Sequence, residues 1–259
     1  MLWLASELKD FTPDATDGSI GSVMDVLFDD RDWTVRWLAI DTGNWLPGRA
    51  VLIPSSALGK PAYAESRIPI SLTKQQVEDS PGLERDAPFS RQMEADQYRY
   101  WGGTPYWTSG VPYPGVGPAG LHPLPVATGV PERRMAKRAG TEGDPDLRSA
   151  DEVTGYSIRA NDGDIGHVED IVIDDDGWAV RYVVVDTVNW WPGKKVVVAP
   201  EWIKDVSWSE RKVGVALDRA TIKAAPEWDP VKTPGREYEE RLYRHYGYAG
   251  YWLDPATRL

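Results

Sequence analysis

Cysteine is absent from the 259 residues. That removes disulfides, thiolate nucleophiles and thiolate metal ligands together. Histidine is nearly absent too, with three residues, and phenylalanine is equally rare. Long apolar runs are missing. Runs such as Tyr182 to Val185 and Val196 to Ala199 are strand-sized and far short of the roughly 18–20 residues of a membrane helix. The start, Met-Leu-Trp-Leu-Ala followed by Glu7, Lys9 and Asp10, lacks the basic segment and cleavage site of a secretion signal. A cytoplasmic chain without a membrane span is therefore expected. Positive charge is also in deficit, at a formal net charge of −11. A field of that sign repels phosphate backbones and makes nucleic acid an unfavoured partner.

What the chain does contain is tryptophan and tyrosine, thirteen and twelve, residues suited to contacts that are apolar at one end and wet at the other. Hydrophobic residues at 41% and charged residues at 27% describe globular material.

The strongest feature is a repeat. Asp17-Gly-Ser-Ile-Gly21-Ser-Val-Met-Asp25 returns as Asp162-Gly-Asp-Ile-Gly166-His-Val-Glu-Asp170, an offset of 145 residues. The same offset relates Trp33 to Trp178, Asp41 to Asp186, Pro47 to Pro192, Leu72 to Leu217 and Pro81 to Pro226. It persists to Tyr98-Arg99 and Tyr243-Arg244, Gly102 and Gly247, and Tyr106-Trp107 and Tyr251-Trp252. Self-similarity on this scale means one fold encoded twice. Between the copies, residues 108–146 hold seven Pro and seven Gly, a composition that supports neither helix nor ladder and reads as an extended linker. The expected division is a first repeat at 1–107, a linker at 108–146 and a second repeat at 147–259.

Within each copy an Asp-Gly turn opens an alternating apolar run. The alternation changes parity near His167–Asp170, as a β-bulge requires. Acidic residues at 29–32 and 174–176 then form a hairpin turn. The return strands, Trp33–Ile40 and Trp178–Val185, end in continuously apolar residues and so have both faces covered. Further strands are expected at Arg49–Ile53 and Lys194–Val198, then at Arg67–Ser71 and Lys212–Leu217. Short helices follow at Thr73–Asp79 and Asp218–Lys223, each ending shortly before a proline. A longer helix, Pro234 to Tyr246, aligns Tyr238, Leu242 and Tyr246 on one face. Met93, Gln97 and Trp101 take those places in the first copy. Many short strands with no helical crossover indicate a mainly β protein of two small antiparallel barrels.

Asp-Gly-x-Ile-Gly-x-Val-x-Asp, an acidic hairpin, and Val-Arg-x-Leu/Val-x-Ile/Val-Asp together resemble the PRC-barrel. This domain is shared by the cytoplasmic part of the photosynthetic reaction-centre H subunit and the C-terminal part of a bacterial ribosome maturation factor. The resemblance covers about residues 2–80 and 147–225. It implies two PRC-type β-barrels, each followed by short helices, acting as interaction or assembly modules. Unlike in the H subunit, no N-terminal membrane helix is expected from this sequence.

Catalytic groups are scarce. Leu38-Ala-Ile-Asp41-Thr42-Gly43 has the form of an aspartic-protease signature, but the second copy puts Val188 where that signature needs Gly. Asp41 then reads as the end of a buried strand. The acidic hairpins lack the spacing of a calcium loop and read as solvated turns. No phosphate-binding or serine-nucleophile motif is present. No catalytic, cofactor-binding or metal-ligating residue is assigned, and a non-enzymatic module is expected. An aspartic-type hydrolase ranks last.

Aromatic residues remain as the candidate interaction set. They are Trp45 in Asn-Trp-Leu-Pro-Gly, Trp190 and Trp191 in Asn-Trp-Trp-Pro-Gly, and the tails Tyr98, Arg99, Trp101, Tyr106, Trp107 and Tyr243, Arg244, Tyr246, Tyr251, Trp252. Rings mixed with arginine suit protein interfaces and single-stranded nucleic acid alike. The acidic balance favours packing on a barrel, then a protein partner or self-association. RNA or ribosome-associated binding is the alternative that the resemblance raises.

Overall fold

A computed structural model describes residues 1–83, 91–103, 105, 147–187, 194–229 and 235–253. It contains two compact units: Lys9–Arg148, and Met1–Leu8 together with Ser149–Leu259. The chain changes unit at Leu8–Lys9 and at Arg148–Ser149, so the units do not coincide with the repeats of the sequence.

In the first unit, β2 (Thr12–Ala15) pairs antiparallel with β3 (Gly18–Ser19) and parallel with β7 (Arg67–Pro69). A second sheet runs β8 (Gly82–Leu83), β6 (Ala50–Pro54), β5 (Val35–Asp41), β4 (Ser22–Asp29) and β9 (Leu147–Ser149). The β4–β5 ladder shifts register between Val23 and Asp25, where the parity of the sequence changes. The bulge bends β4, and Asp25 holds it by accepting the amide of Val26 at 2.7 Å.

The hairpin is made by its aspartates. Asp29 accepts the Trp33 amide on its carbonyl at 2.8 Å and the Arg31 amide on its side chain at 2.9 Å. Trp33 sits at φ 58° and its counterpart Trp178 at φ 48°, a left-handed conformation uncommon outside Gly, Asn and Asp. Contrary to the solvated turn expected, Asp29 is buried beside Arg36 at 3.3 Å.

Gly21 explains the second glycine of the motif. Its φ is +132°, and a Cβ there would lie 2.0 Å from the Asp41 carbonyl oxygen. Gly166 repeats this at φ +146° and 1.9 Å from that of Asp186. Only glycine adopts that region and admits so close a backbone.

Strand alternation distributes the first core. Ile40, Val51 and Ile53 face Ile20, Ile70, Leu72 and Val77. Trp37, Ala39 and Leu52 face the other way, onto Leu27, Leu83 and Leu147. Both faces of β5 and β6 are covered, as the apolar runs require. Helix α2 (Lys74–Asp79) starts on a capping box of Thr73 and Gln76. Asp17 also accepts the amide of Lys74 at 2.7 Å, so the Asp-Gly turn serves the helix start as well as the strand. Helix α3 (Arg91–Trp101) follows.

The second unit contains α4 (Ala150–Val153) and one curled sheet. Its strands are β10 (Ser157–Ala160), β11 (Gly163–Asp174), β12 (Ala179–Asp186), β13 (Lys195–Val198), β14 (Ile203–Ser207) and β15 (Lys212–Val215). All pairings are antiparallel except β10 with β15. The bulge recurs between Val168 and Asp170. Helices α5 (Arg219–Ala224) and α6 (Arg236–Tyr246) close the unit, with Asp162 accepting the amide of Arg219 at 2.8 Å. The short strand β14 has no counterpart in the sequence reading.

One further strand belongs here. β1 (Leu2–Leu4) pairs antiparallel with β11, setting Leu2 opposite Asp174, Trp3 opposite Ile173 and Leu4 opposite Val172. Helix α1 (Ala5–Leu8) packs against the same strand.

Candidate interaction site

Two peptide segments dock on each barrel: a strand along the outer edge of β4 or β11, and a helix over the sheet. The strand comes first. In the second unit the indole N–H of Trp3 donates to Asp175 at 2.8 Å, and both residues are buried. In the first unit, Arg148 donates through Nε to Asp30 at 2.8 Å. Trp3 and Arg148 stand at equivalent positions of the repeat, as do Asp30 and Asp175. The second aspartate of each acidic hairpin therefore anchors the edge strand. Ser6 of α1 adds its hydroxyl and amide to Asp170 at the bulge. Burial pushes the Asp170 carboxyl up from its ordinary value, against the pull of those hydrogen bonds.

The docked helix of the second unit turns Glu239, Leu242, Tyr243 and Tyr246 inward. This face is rotated from the one expected, because Glu239 and not Tyr238 lies at its centre. Glu239 accepts the hydroxyls of Tyr182 at 2.8 Å and Tyr251 at 2.9 Å, and pairs with Arg236 at 3.0 Å. Tyr243 donates to Glu201 at 2.7 Å, and its ring, with those of Tyr246 and Tyr248, surrounds the buried indole of Trp202. Desolvation holds the hydroxyls of Tyr182, Tyr238, Tyr243, Tyr246 and Tyr251 well above their ordinary value, with Glu239 adding to the shift of Tyr182 and Glu201 to that of Tyr243. These phenols stay neutral.

The first unit uses the same scheme with different chemistry. Glu94, equivalent to Glu239, accepts the indole N–H of Trp37, equivalent to Tyr182, at 2.9 Å. Tyr98 meets Trp37 edge to face, its ring centre 4.9 Å away. Gln97 donates to the Pro81 carbonyl at 2.8 Å and accepts from Trp101 at 3.1 Å.

At the rim of the second unit, Arg181 reaches Asp174 through two N–H groups at 3.1 Å and lies 4.1 Å over the ring of Tyr251. Arg236 lies 4.2 Å over Trp252. Tyr248 and Leu253 are exposed, Leu253 by 64%. This margin of rings, arginines and open apolar surface is the part of the aromatic tail left facing outward.

The sequence candidates divide accordingly. Tyr243 and Tyr246 are buried in their own unit. Tyr98, Trp101, Tyr251 and Trp252 are half-buried, and Arg99 and Arg244 are exposed. Trp45 is half-buried against the first core, with the Lys74 ammonium 4.7 Å from its ring centre. Its loop is closed by Thr42, whose hydroxyl donates to the carbonyls of Leu46 at 2.8 Å and Arg49 at 2.6 Å. Thr187 does the same to Lys194 at 2.6 Å. Asp41 accepts the amide of Gly43 at 2.9 Å, so Asp-Thr-Gly forms a loop start. Tyr106, Trp107, Trp190 and Trp191 lie outside the described residues. So does the whole of the Pro/Gly-rich stretch, 108–146.

The sequence reading missed Trp3, Arg148, Asp30, Asp175, Glu94 and Glu239. A signal existed for all of them. The 145-residue offset runs upstream to Leu2 and Leu147, Ala5 and Ala150, and Glu7 and Glu152, and downstream to both glutamates.

The PRC-barrel domain matches residues 14–72 and 145–215, half of the chain in two segments. The chain belongs to the PRC-barrel family. As a tandem PRC-barrel protein it adds to the matched segments the edge strand β1 and the docked helices α3 and α6, whereas β9 lies inside the second matched segment. No curated protein matches it in a sequence comparison. Among the described residues, no helix of this PRC-barrel chain is long and apolar enough to cross a membrane. Nor do three or more His, Asp or Glu side chains among those residues gather where they could hold a metal ion.

Proposed function

We propose that this tandem PRC-barrel chain is a non-enzymatic assembly module, which we place in the cytoplasm, and that its barrels are platforms for peptide segments. One observation carries the reading. The acids repeated in both units, half-buried Asp30 with buried Asp175, and Glu94 with Glu239, both buried, each hold an edge strand or a helix against a barrel. Edge-strand addition and helix docking are general modes of protein recognition. The outward margin of Tyr248, Trp252 and Leu253 beside Arg236 has the ring–arginine composition of interface centres, and it suits a protein partner or a second copy. The formal charge of −11 opposes RNA.

Light scattering over a wide concentration range, together with affinity capture, tests the proposal. Concentration-dependent assembly or a stoichiometric protein complex, weakened by Leu253→Ser without loss of fold, is expected. An inert monomer under all conditions would overturn it. A mobility shift with structured RNA at low salt would replace it.

A further inference from the structure

The connectivity of the two units differs from that of two beads on a string. The segment that leads into the first repeat, Met1–Leu8, is part of the second unit, and Leu147–Arg148, which lead into the second repeat, are part of the first. Each barrel edge is thus filled by the leading strand of the other repeat. The chain passes from one unit to the other at Leu8–Lys9 and again at Arg148–Ser149. By contrast, α3 and the first two residues of β9, the described elements on either side of the Pro/Gly-rich stretch in the sequence, both belong to the first unit.

From this we infer that the PRC-barrel repeats are held to each other by a reciprocal trade of leading strands, each edge being an acceptor site fitted to the segment that opens the other repeat. The residues concerned are equivalent in the repeat and make equivalent contacts. Leu2 and Leu147 are both buried, and Leu147 joins the core of Leu27, Trp37 and Leu52. Trp3 and Arg148 both donate N–H to the second hairpin aspartate. Exchange of like elements uses the same contacts a closed repeat would use, so it costs little beyond the crossing of the chain.

Cutting the Pro/Gly-rich stretch tests the inference. A protease site is inserted between residues 115 and 130 of the full chain, and the folded protein is cleaved without denaturant. The two fragments should stay together at micromolar concentration in native mass spectrometry and in sizing. Asp30→Ala combined with Asp175→Ala should weaken their association by about tenfold or more, since two anchoring bonds are lost. A second measurement needs no loss of contacts. Leu4 and Val172 are opposite each other across the β1–β11 ladder, at a spacing a disulfide can bridge, and the chain has no other cysteine. The Leu4→Cys/Val172→Cys protein, oxidised and then cleaved, should run as one band until reduced. Fragments that part at once, or a pair of cysteines that stays reduced, would overturn the inference. Disulfide-linked dimers of the uncut chain would overturn it too, by placing the strand on a second copy.

Discussion

The indole N–H of Trp37 donates to the carboxylate of Glu94 at 2.9 Å, 57 residues further along the chain, and both groups are buried. In the second repeat the same geometry joins the Tyr182 hydroxyl to Glu239 at 2.8 Å. A buried acid therefore pins a helix to a barrel twice, with the donor changed from indole to phenol. Glu239→Ala should destabilise the second unit by about 1–3 kcal/mol, because the fully buried Tyr182 hydroxyl loses its acceptor. Glu239→Gln, which keeps an acceptor oxygen, should cost less. Urea unfolding of the two variants gives the comparison, and equal losses would contradict the role assigned to the acceptor.

Gly166→Ala should be among the most damaging single changes in the chain. Its φ of +146° and the Asp186 carbonyl 1.9 Å from the added Cβ leave no room for relaxation without moving β11 or β12. Backbone strain and overpacking together amount to about 2–5 kcal/mol. Gly43→Ala is the matched control, since a Cβ there meets nothing within 4 Å. Thermal midpoints that fall equally for both would refute the close-approach argument.

Asp175→Ala should loosen the edge strand before it loosens the barrel. The variant leaves the buried Trp3 N–H without its acceptor, a loss worth about 1–3 kcal/mol. Amide exchange over Leu2–Leu8 should speed up by about tenfold while β12 remains protected. If exchange rises uniformly across the second unit, the aspartate supports the whole barrel and not one strand.

High pH should unfold the second unit cooperatively. Five phenols, Tyr182, Tyr238, Tyr243, Tyr246 and Tyr251, have hydroxyls raised above the ordinary value of 10.0 by burial. A raised acid favours the neutral form in the folded state. Its contribution is fully present below pH 10 and is lost above it, where the unfolded chain ionises and the folded one does not. A tyrosinate absorbance step that coincides with loss of aromatic circular dichroism is expected. Gradual ionisation with the dichroism intact would go against it.

The fold was legible wherever local chemistry determines geometry. The glycine pairs, the parity change at the bulge and the acidic hairpin each leave a local mark, and each stands where that mark places it. The destination of the leading segments was not legible. Leu2–Leu4 is three residues long, and the edges of β4 and β11 have near-identical patterns, so periodicity alone does not choose between them. Asp29 and Asp175 were read as solvent-facing because turn statistics describe hairpins without a neighbour, whereas here an arginine and an edge strand cover them. The helix face was misjudged at Glu239 for a similar reason. A carboxylate enters an apolar face only where partners await it, and the buried partner Tyr182 is 57 residues away in sequence.

Membership of Met1–Leu8 in the second unit has a mechanical meaning. If the protein is held by that segment and by α6, tension runs through the second barrel alone, from β1 across its ladder with β11. The first barrel bears no load until β1 tears away, and only then does it enter the line of force.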